Sequence, residues 1–326
     1  MTDRPLVTIG IPTYNRGAGY LRQTLSSALA QTYPHLEIVV SDNGSTDCTP
    51  QTVADLGGAR VRYFRQDPPV RPNDNFNFCL AQARGDFFLL LQDDDQIDPD
   101  FIAACLEAAG DRTDVGVIRT GARVVDGEGR TLRELPNPAA GLTTPDFFLA
   151  WFTYRLTPYL CSTLFNTRRL REIGGFHSLK NLFQDMAAMV ELAHRFGRAD
   201  VPGIKASFRK HGGELTAAAK VNDWCADSRY LLDLMCGLAP EYEALLRGPG
   251  NHFFFNLNLQ RADGIRSPLQ RYRAYWEVFR WFDYPYPPLR YLLDREPRTR
   301  RIKQAVKRAV RRVLPNAWAG EAGPAE

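Results

Sequence analysis

What this 326-residue chain lacks narrows what it can be. No apolar run approaches the ~20 uncharged residues that a membrane-spanning helix requires. The most apolar later stretch, Phe147 to Leu160, is interrupted by Arg155 and Pro158. The opening Met-Thr-Asp-Arg-Pro has no apolar leader, so a cytoplasmic protein is expected. The six cysteines (Cys48, Cys79, Cys105, Cys161, Cys225, Cys236) show no Cys-x-x-Cys pair and no zinc-type spacing, which argues for reduced thiols. There is no internal repeat and no long low-complexity linker. A net charge of +4 hides an asymmetry: Arg298 to Arg312 hold eight Lys/Arg and no acid, which leaves the preceding chain near neutral or slightly acidic.

What is present reads as an ordinary globular composition, with 44% hydrophobic and 24% charged residues. The first half alternates strand and helix patterns. Strands are expected at 6–11, 37–40, 61–64 and 87–91, with helices over 18–31, after Asp47, and over 75–84. Strand-helix repetition at this spacing implies crossover connections and a mostly parallel sheet. From 115 the pattern turns mixed, with strands expected at 115–118, 123–125 and 204–208 and a helix over 182–195. After about 215 it is helical and rich in aromatics.

The most informative segment is Phe87 to Asp95, an apolar run that ends in Asp93, Asp94 and Asp95. Adjacent acids repel unless a cation neutralises them, and ligands of open α/β sheets sit beyond the carboxyl ends of strands. The triplet is therefore a candidate site for Mg²⁺ or Mn²⁺; the alternative is an acidic loop ahead of the next helix. After the first strand, Pro12-Thr13-Tyr14-Asn15-Arg16 offers a hydroxyl and a ring that can stack on a base or merely cover the sheet edge. After the second, Asp42 can accept the imide N–H of uracil or thymine. Gly44 suits a tight turn there, and Ser45, Thr46 and Asp47 suit a helix cap.

These segments, followed by Gly174-Gly175-Phe176 and Gln184-Asp185, occur in an order that resembles the family 2 glycosyltransferases over roughly residues 5–215. The resemblance implies a GT-A fold: α/β, Rossmann-like, with a mostly parallel mixed sheet and flanking helices. It divides the chain into a nucleotide-sugar half (about 1–110), an acceptor half (about 111–215) and a helical C-terminal region (216–326). It implies an inverting transfer from a nucleotide-diphosphate sugar, UDP- or dTDP-linked by preference, to a saccharide or lipid-linked saccharide. Pro12, Thr13, Tyr14, Arg16, Asp42, Ser45, Asn75, Asp93 and Asp94 would contact the donor. Asp95, Asp93 and His211 would hold the Mn²⁺ or Mg²⁺, and Asp185 would be the catalytic base. Arg71 and Asn73 lie near the donor segment, and Arg209 or Lys210 would join His211 at the diphosphate. Two positions depart from the family pattern: Gln92 stands where the first acid of the metal motif is common, and Gln184 where a Glu precedes the base.

Those departures keep a catalytically silent sugar-nucleotide binder in view. A sugar-phosphate nucleotidylyltransferase would need a Gly-rich phosphate loop, which Gly10 to Arg16 does not supply. Residues 298–314 form a basic amphipathic pattern (Ile302, Ala305, Val306, Ala309, Val310, Val313, Leu314) suited either to an anionic membrane surface or to docking on the domain. No nucleic-acid motif accompanies that charge, so no nucleic-acid partner is expected.

Overall fold

The computed structural model describes residues 4–110, 112–211 and 219–282. β1 (Val7–Thr13), β2 (Leu36–Asp42), β3 (Val61–Arg65) and β4 (Phe87–Leu90) are parallel neighbours in the order β3-β2-β1-β4. They are linked by α1 (Tyr20–Leu29), α2 (Thr49–Gly57) and α3 (Pro72–Gln82). β1 and β4 are buried along their whole length, which is why both read as near-continuous apolar runs. α1 turns Leu21, Leu25 and Ala28 onto the sheet at helical spacing.

The second half completes a mixed sheet. β5 (Gln96–Ile97), α4 (Phe101–Ala109), β6 (Val117–Val125), β7 (Thr131–Leu135), α5 (Thr144–Phe152), β8 (Thr163–Asn166), α6 (Thr167–Glu172), α7 (Gln184–Phe196) and β9 (Arg198–Arg209) follow in turn. The sheet continues from β4 through β8, β6 and β9 to β5, and β7 pairs with β6. β8 runs antiparallel to both β4 and β6, whereas β6 and β9 are parallel. The strands expected at 115–118 and 123–125 are one strand, β6. Arg119 and Gly121 break the apolar pattern, yet Arg119 is buried with its guanidinium 5.0 Å from the Phe147 ring. Gly121 sits where the pairing with β9 shifts register.

α8 (Val221–Leu238), α9 (Glu243–Asp263) and α10 (Pro268–Phe282) follow. Two compact units meet in the sequence between Phe254 and Phe255. The first therefore extends past residue 215 to include α8, whose Trp224 ring meets Phe183 edge-on at 5.2 Å. No helix among the described residues is long and apolar enough to cross a membrane. The basic pattern at 298–314 lies outside the described residues.

Gly10 is where the parallel layer is tightest. A Cβ there would lie 2.7 Å from the Phe88 ring and 2.9 Å from the Cys79 Cβ. Gly10→Ala is expected to destabilise the fold by about 1–3 kcal/mol through overpacking. Urea unfolding measures this, and an unchanged midpoint would contradict the packing described.

Candidate active site

β1 pairs with β4 as far as Gly10 and Leu90, and with β2 as far as Thr13 and Asp42. Past these points the chain leaves the sheet, and the loops after β1, β2 and β4 open a cavity of about 390 Å³. Its wall includes Pro12, Thr13, Tyr14, Asn15, Arg16, Asn43, Asn75, Gln92, Asp93 and Asp94, with Asp185 from the start of α7 and Phe208 and Arg209 from the end of β9. A crevice beyond the carboxyl ends of parallel strands is where such sheets bind ligands.

The three acids of the triplet have three environments. Asp93 accepts a hydrogen bond from the Thr13 hydroxyl at 2.7 Å, with the Tyr14 N–H at 3.4 Å. Burial, and then the charge of Asp94, push its carboxyl up to about 6. Asp94 places Oδ2 2.9 Å from His211 Nε2. Asp95 turns into the protein, where its Oδ1 accepts the Arg209 N–H at 2.8 Å. Burial, then Asp94, hold its carboxyl well above the usual range, partly offset by the donors Arg209 and Cys161.

Asp95, expected with Asp93 at the metal, is 1% exposed and does not line the cavity, whereas Asp93 does. The triplet straddles the exit from β4 and the entry to β5, so its last member is drawn into the β5–β9 pairing. Asp94 lines the cavity and stands beside His211.

Arg209, expected near the diphosphate, lines the cavity with its guanidinium engaged inside the protein. Its Nε donates to the Asp94 carbonyl at 2.9 Å, and its Nη2 to the Gln23 side chain at 2.8 Å. Its Nη1 donates to the Asp126 carbonyl at 3.2 Å, and the guanidinium lies 4.6 Å over the Tyr20 ring. It is a buried clamp under the acidic turn.

The donor-side loops are knitted together by Asn15, which has a φ of 53°. Its N–H donates to Ser45 Oγ, and its Oδ1 accepts the Thr46 N–H, both at 2.8 Å. Asp42 is fully buried and does not line the cavity. Its carboxylate accepts the Ser45 N–H at 2.8 Å and the Tyr63 hydroxyl, with Arg65 at 3.5 Å. Ser45 is likewise behind the wall, whereas Asn75 lines it while bonded to Ser41. Tyr14 is half exposed, its ring open to a ligand. Arg71 pairs with Asp74 at 2.8 Å, and Asn73 donates to the Phe176 carbonyl at 2.9 Å.

Asp185 reaches the cavity from the far side. It lies in the first turn of α7, where its Oδ1 accepts the Met186 N–H at 2.9 Å. Burial raises its carboxyl to about 6, with Asp227 adding to the rise. The sequence did not single out Asp227, which is fully buried on α8 and bonded to the loop before α7. Its only signal is an acid set among apolar positions (Trp224, Leu231) at helical spacing.

Residues 8–169 match the model of glycosyl transferase family 2. The chain belongs to family 2 of the glycosyltransferases. An uncharacterized glycosyltransferase of Rickettsia felis is 32% identical over 185 residues, covering 56% of this chain and 30% of that protein. The GalNAc(5)-diNAcBac-PP-undecaprenol beta-1,3-glucosyltransferase of Campylobacter jejuni is 27% identical over 205 residues, covering 60% of this chain and 65% of its own length. This family 2 chain thus spans under a third of the Rickettsia relative's length and just under two thirds of the Campylobacter one's. Among solved structures, S. aureus TarS 1-349 with UDP-GlcNAc superimposes with a TM-score of 0.65 at 19% identity, over 85% of this chain and 81% of that one. The shared architecture is the GT-A fold that the motif order implied.

A raised carboxyl is a cost to folding that substitution can relieve. The folded pKa of Asp185, about 6, lies above the ordinary aspartate value of about 3.9, so folding favours the neutral form. The penalty is absent below about pH 4, grows as the pH rises to about 6, and is constant above. Asp185→Asn is therefore expected to be more stable than the native chain by about 2 kcal/mol at pH 7.5 and equal to it at pH 3.5. Thermal melts at the two pH values check this; an Asn variant less stable at pH 7.5 would contradict it.

Proposed function

We propose that this family 2 glycosyltransferase moves a sugar from a nucleotide-diphosphate sugar to an acceptor hydroxyl with inversion, aided by a divalent cation. The carrying observation is a single cavity with Asp93 and Asp94 on one wall and Asp185 entering from α7. Asp185, ionised above about pH 6, is placed to act as general base. The acceptor oxygen bonds to the anomeric carbon while the bond from that carbon to the diphosphate oxygen breaks. The acceptor's proton passes to Asp185, and the bonding pair leaves with the nucleoside diphosphate. Gln184 Oε1 is buried without a hydrogen-bond partner in the structure, which suits it to accept from an acceptor hydroxyl.

The residues present fit Mn²⁺ or Mg²⁺. Asp94 and His211 supply an oxygen and a nitrogen 2.9 Å apart, with the charge of Asp93 beside them. No group of three or more His, Cys, Asp or Glu among the described residues is arranged to hold an ion alone. That suits a cation held by one or two protein groups together with substrate phosphates. When bound, it would neutralise charge on the departing diphosphate. Tyr14 offers a stacking face to the base, and the UDP-GlcNAc bound by TarS favours a UDP- or dTDP-sugar.

The Campylobacter relative, named for an undecaprenol-linked substrate, supports a saccharide or lipid-linked saccharide acceptor and a place in polysaccharide or glycoconjugate synthesis. Such an acceptor agrees with a basic 298–314 segment held at an anionic membrane surface. The full chain is expected to sediment with anionic phospholipid vesicles, and a chain ending at Glu296 to do so less. Equal binding by the two would remove this part of the reading.

Nucleotide release from a nucleotide sugar tests the whole. Release is expected with Mn²⁺ and not with chelator. Asp94→Asn and Asp185→Asn should each lower kcat by about 10²–10⁴-fold, and activity should fall below about pH 6. A silent binder, the reading that Gln92 and Gln184 keep open, would release nucleotide under no condition.

A further inference from the structure

The loop that delivers Asp185 has little of its own to hold it. Between α6 and α7 the chain runs through Gly174 and Gly175, both with positive φ, then through Asn181 with φ of 53° and an exposed Leu179. Phe183, at the N-cap position of α7, makes no side-chain cap to the helix. A helix start of this kind leaves backbone N–H groups to be satisfied from elsewhere.

The N–H groups that lead into that start are held by a side chain from another helix. Asp227 on α8 accepts from the Lys180, Leu182 and Phe183 N–H groups, each at 2.8 Å, and from the Ser178 hydroxyl at 2.7 Å. Four donors from one loop converge on one fully buried carboxylate. A carboxylate without them would be too costly to bury as a charge. Its charge also sits at the N-terminal end of α7, where the helix dipole favours an anion.

We propose that Asp227 is a positioning residue of the transfer site, acting as a cap in trans that fixes the Ser178–Phe183 loop and so sets where Asp185 enters the cavity. The inference rests on the proposed role of Asp185. Asp227 touches neither donor nor acceptor in this account; it acts through the loop and through its charge on Asp185. The donor wall, built on the loops after β1, β2 and β4, does not depend on it.

Nucleotide release from a UDP-sugar with Mn²⁺, measured on the full chain across pH, separates this role from general stability. The charged groups on the same cavity wall as Asp185 are Arg16, Asp93, Asp94 and Arg209. Lys180, Asp223, Glu191 and Tyr230 stand around Asp227. Asp227→Asn keeps the shape but sets an amide against the loop's N–H donors. It is expected to lower kcat about 100-fold, as for a misplaced catalytic group, while KM for the donor stays within about threefold. The acid limb should also move to lower pH, because the charge of Asp227, which adds to the burial that chiefly raises Asp185, is gone. A kcat within about threefold of the native chain, an unshifted acid limb, or a loss expressed only in KM would overturn the proposal.

If Asp227→Asn does not fold, Ser178→Ala is read instead. It removes the 2.7 Å bond to Asp227 and a 3.4 Å bond to the Phe183 N–H while leaving the carboxylate in place. A fall in kcat of about 3–10-fold at constant KM is expected, and no change overturns the proposal. A native chain without nucleotide release, or an active Asp185→Asn, would instead overturn the reading of the site. An inactive Asp185→Asn beside a fully active Asp227→Asn would overturn this inference alone.

Discussion

The acidic turn depends on one buried guanidinium. Arg209 supplies its backbone N–H to Asp95 and its side chain to the Asp94 carbonyl, the Asp126 carbonyl and Gln23. Three consecutive acids that pointed into the same cavity would repel one another. Arg209 resolves that by drawing the third acid inward and fixing the backbone of the second. Its own charge, 2% exposed, is tolerable because neutral carbonyl and amide oxygens surround it and the Tyr20 ring lies beneath it. The same residue closes β9 against β5 and the turn after β6, so the acidic turn and the outer half of the sheet share one tie.

From that arrangement follows a separation of roles among chemically identical groups. Asp94 keeps an imidazole neighbour, Asp93 a hydroxyl donor, Asp95 a backbone N–H, and Asp185 a helix start. Asp93 and Asp185 are pushed to about 6 and Asp95 is held well above the usual range, in each case chiefly by burial. Carboxylates whose environments differ in this way can serve different functions at one pH. Burial raises Asp185 to about 6, which still leaves it ionised near neutrality.

The parallel half was legible because its signals are local. Apolar runs such as Leu6–Ile11 and Phe87–Leu91 mark doubly covered strands, and the polar segments between them mark the ends that carry ligands. The outer half was less so. β6 was split by Arg119 and Gly121, whose burial depends on Phe147 and on the register with β9. β8 and β7 left no reading because short strands in a mixed sheet have no strong period. In the site, residue types and order were readable, but side-chain direction was not. Nothing in three adjacent aspartates says which one turns inward, since that choice is made by Arg209, more than a hundred residues away. Asp42 shows the same limit: it is buried, and its partners Tyr63 and Arg65 come from a neighbouring strand.

The two glutamines that depart from the family pattern look different once the charges around them are placed. The cavity already holds Asp93, Asp94 and Asp185, with Asp95 and Asp227 buried close behind. A Glu at position 184 would set another anion beside Asp185, whose carboxyl is already raised by burial and by Asp227. An added like charge raises a carboxyl further, which would leave less of Asp185 ionised at neutral pH. Gln184 keeps the hydrogen-bonding oxygen and omits the charge. Gln92 does the same beside Asp93, where an acid would add to the repulsion that Asp94 already exerts. On this argument the substitutions go with a carboxylate cluster that is already charge-dense, and they preserve the polar contacts a sugar or ribose hydroxyl would use.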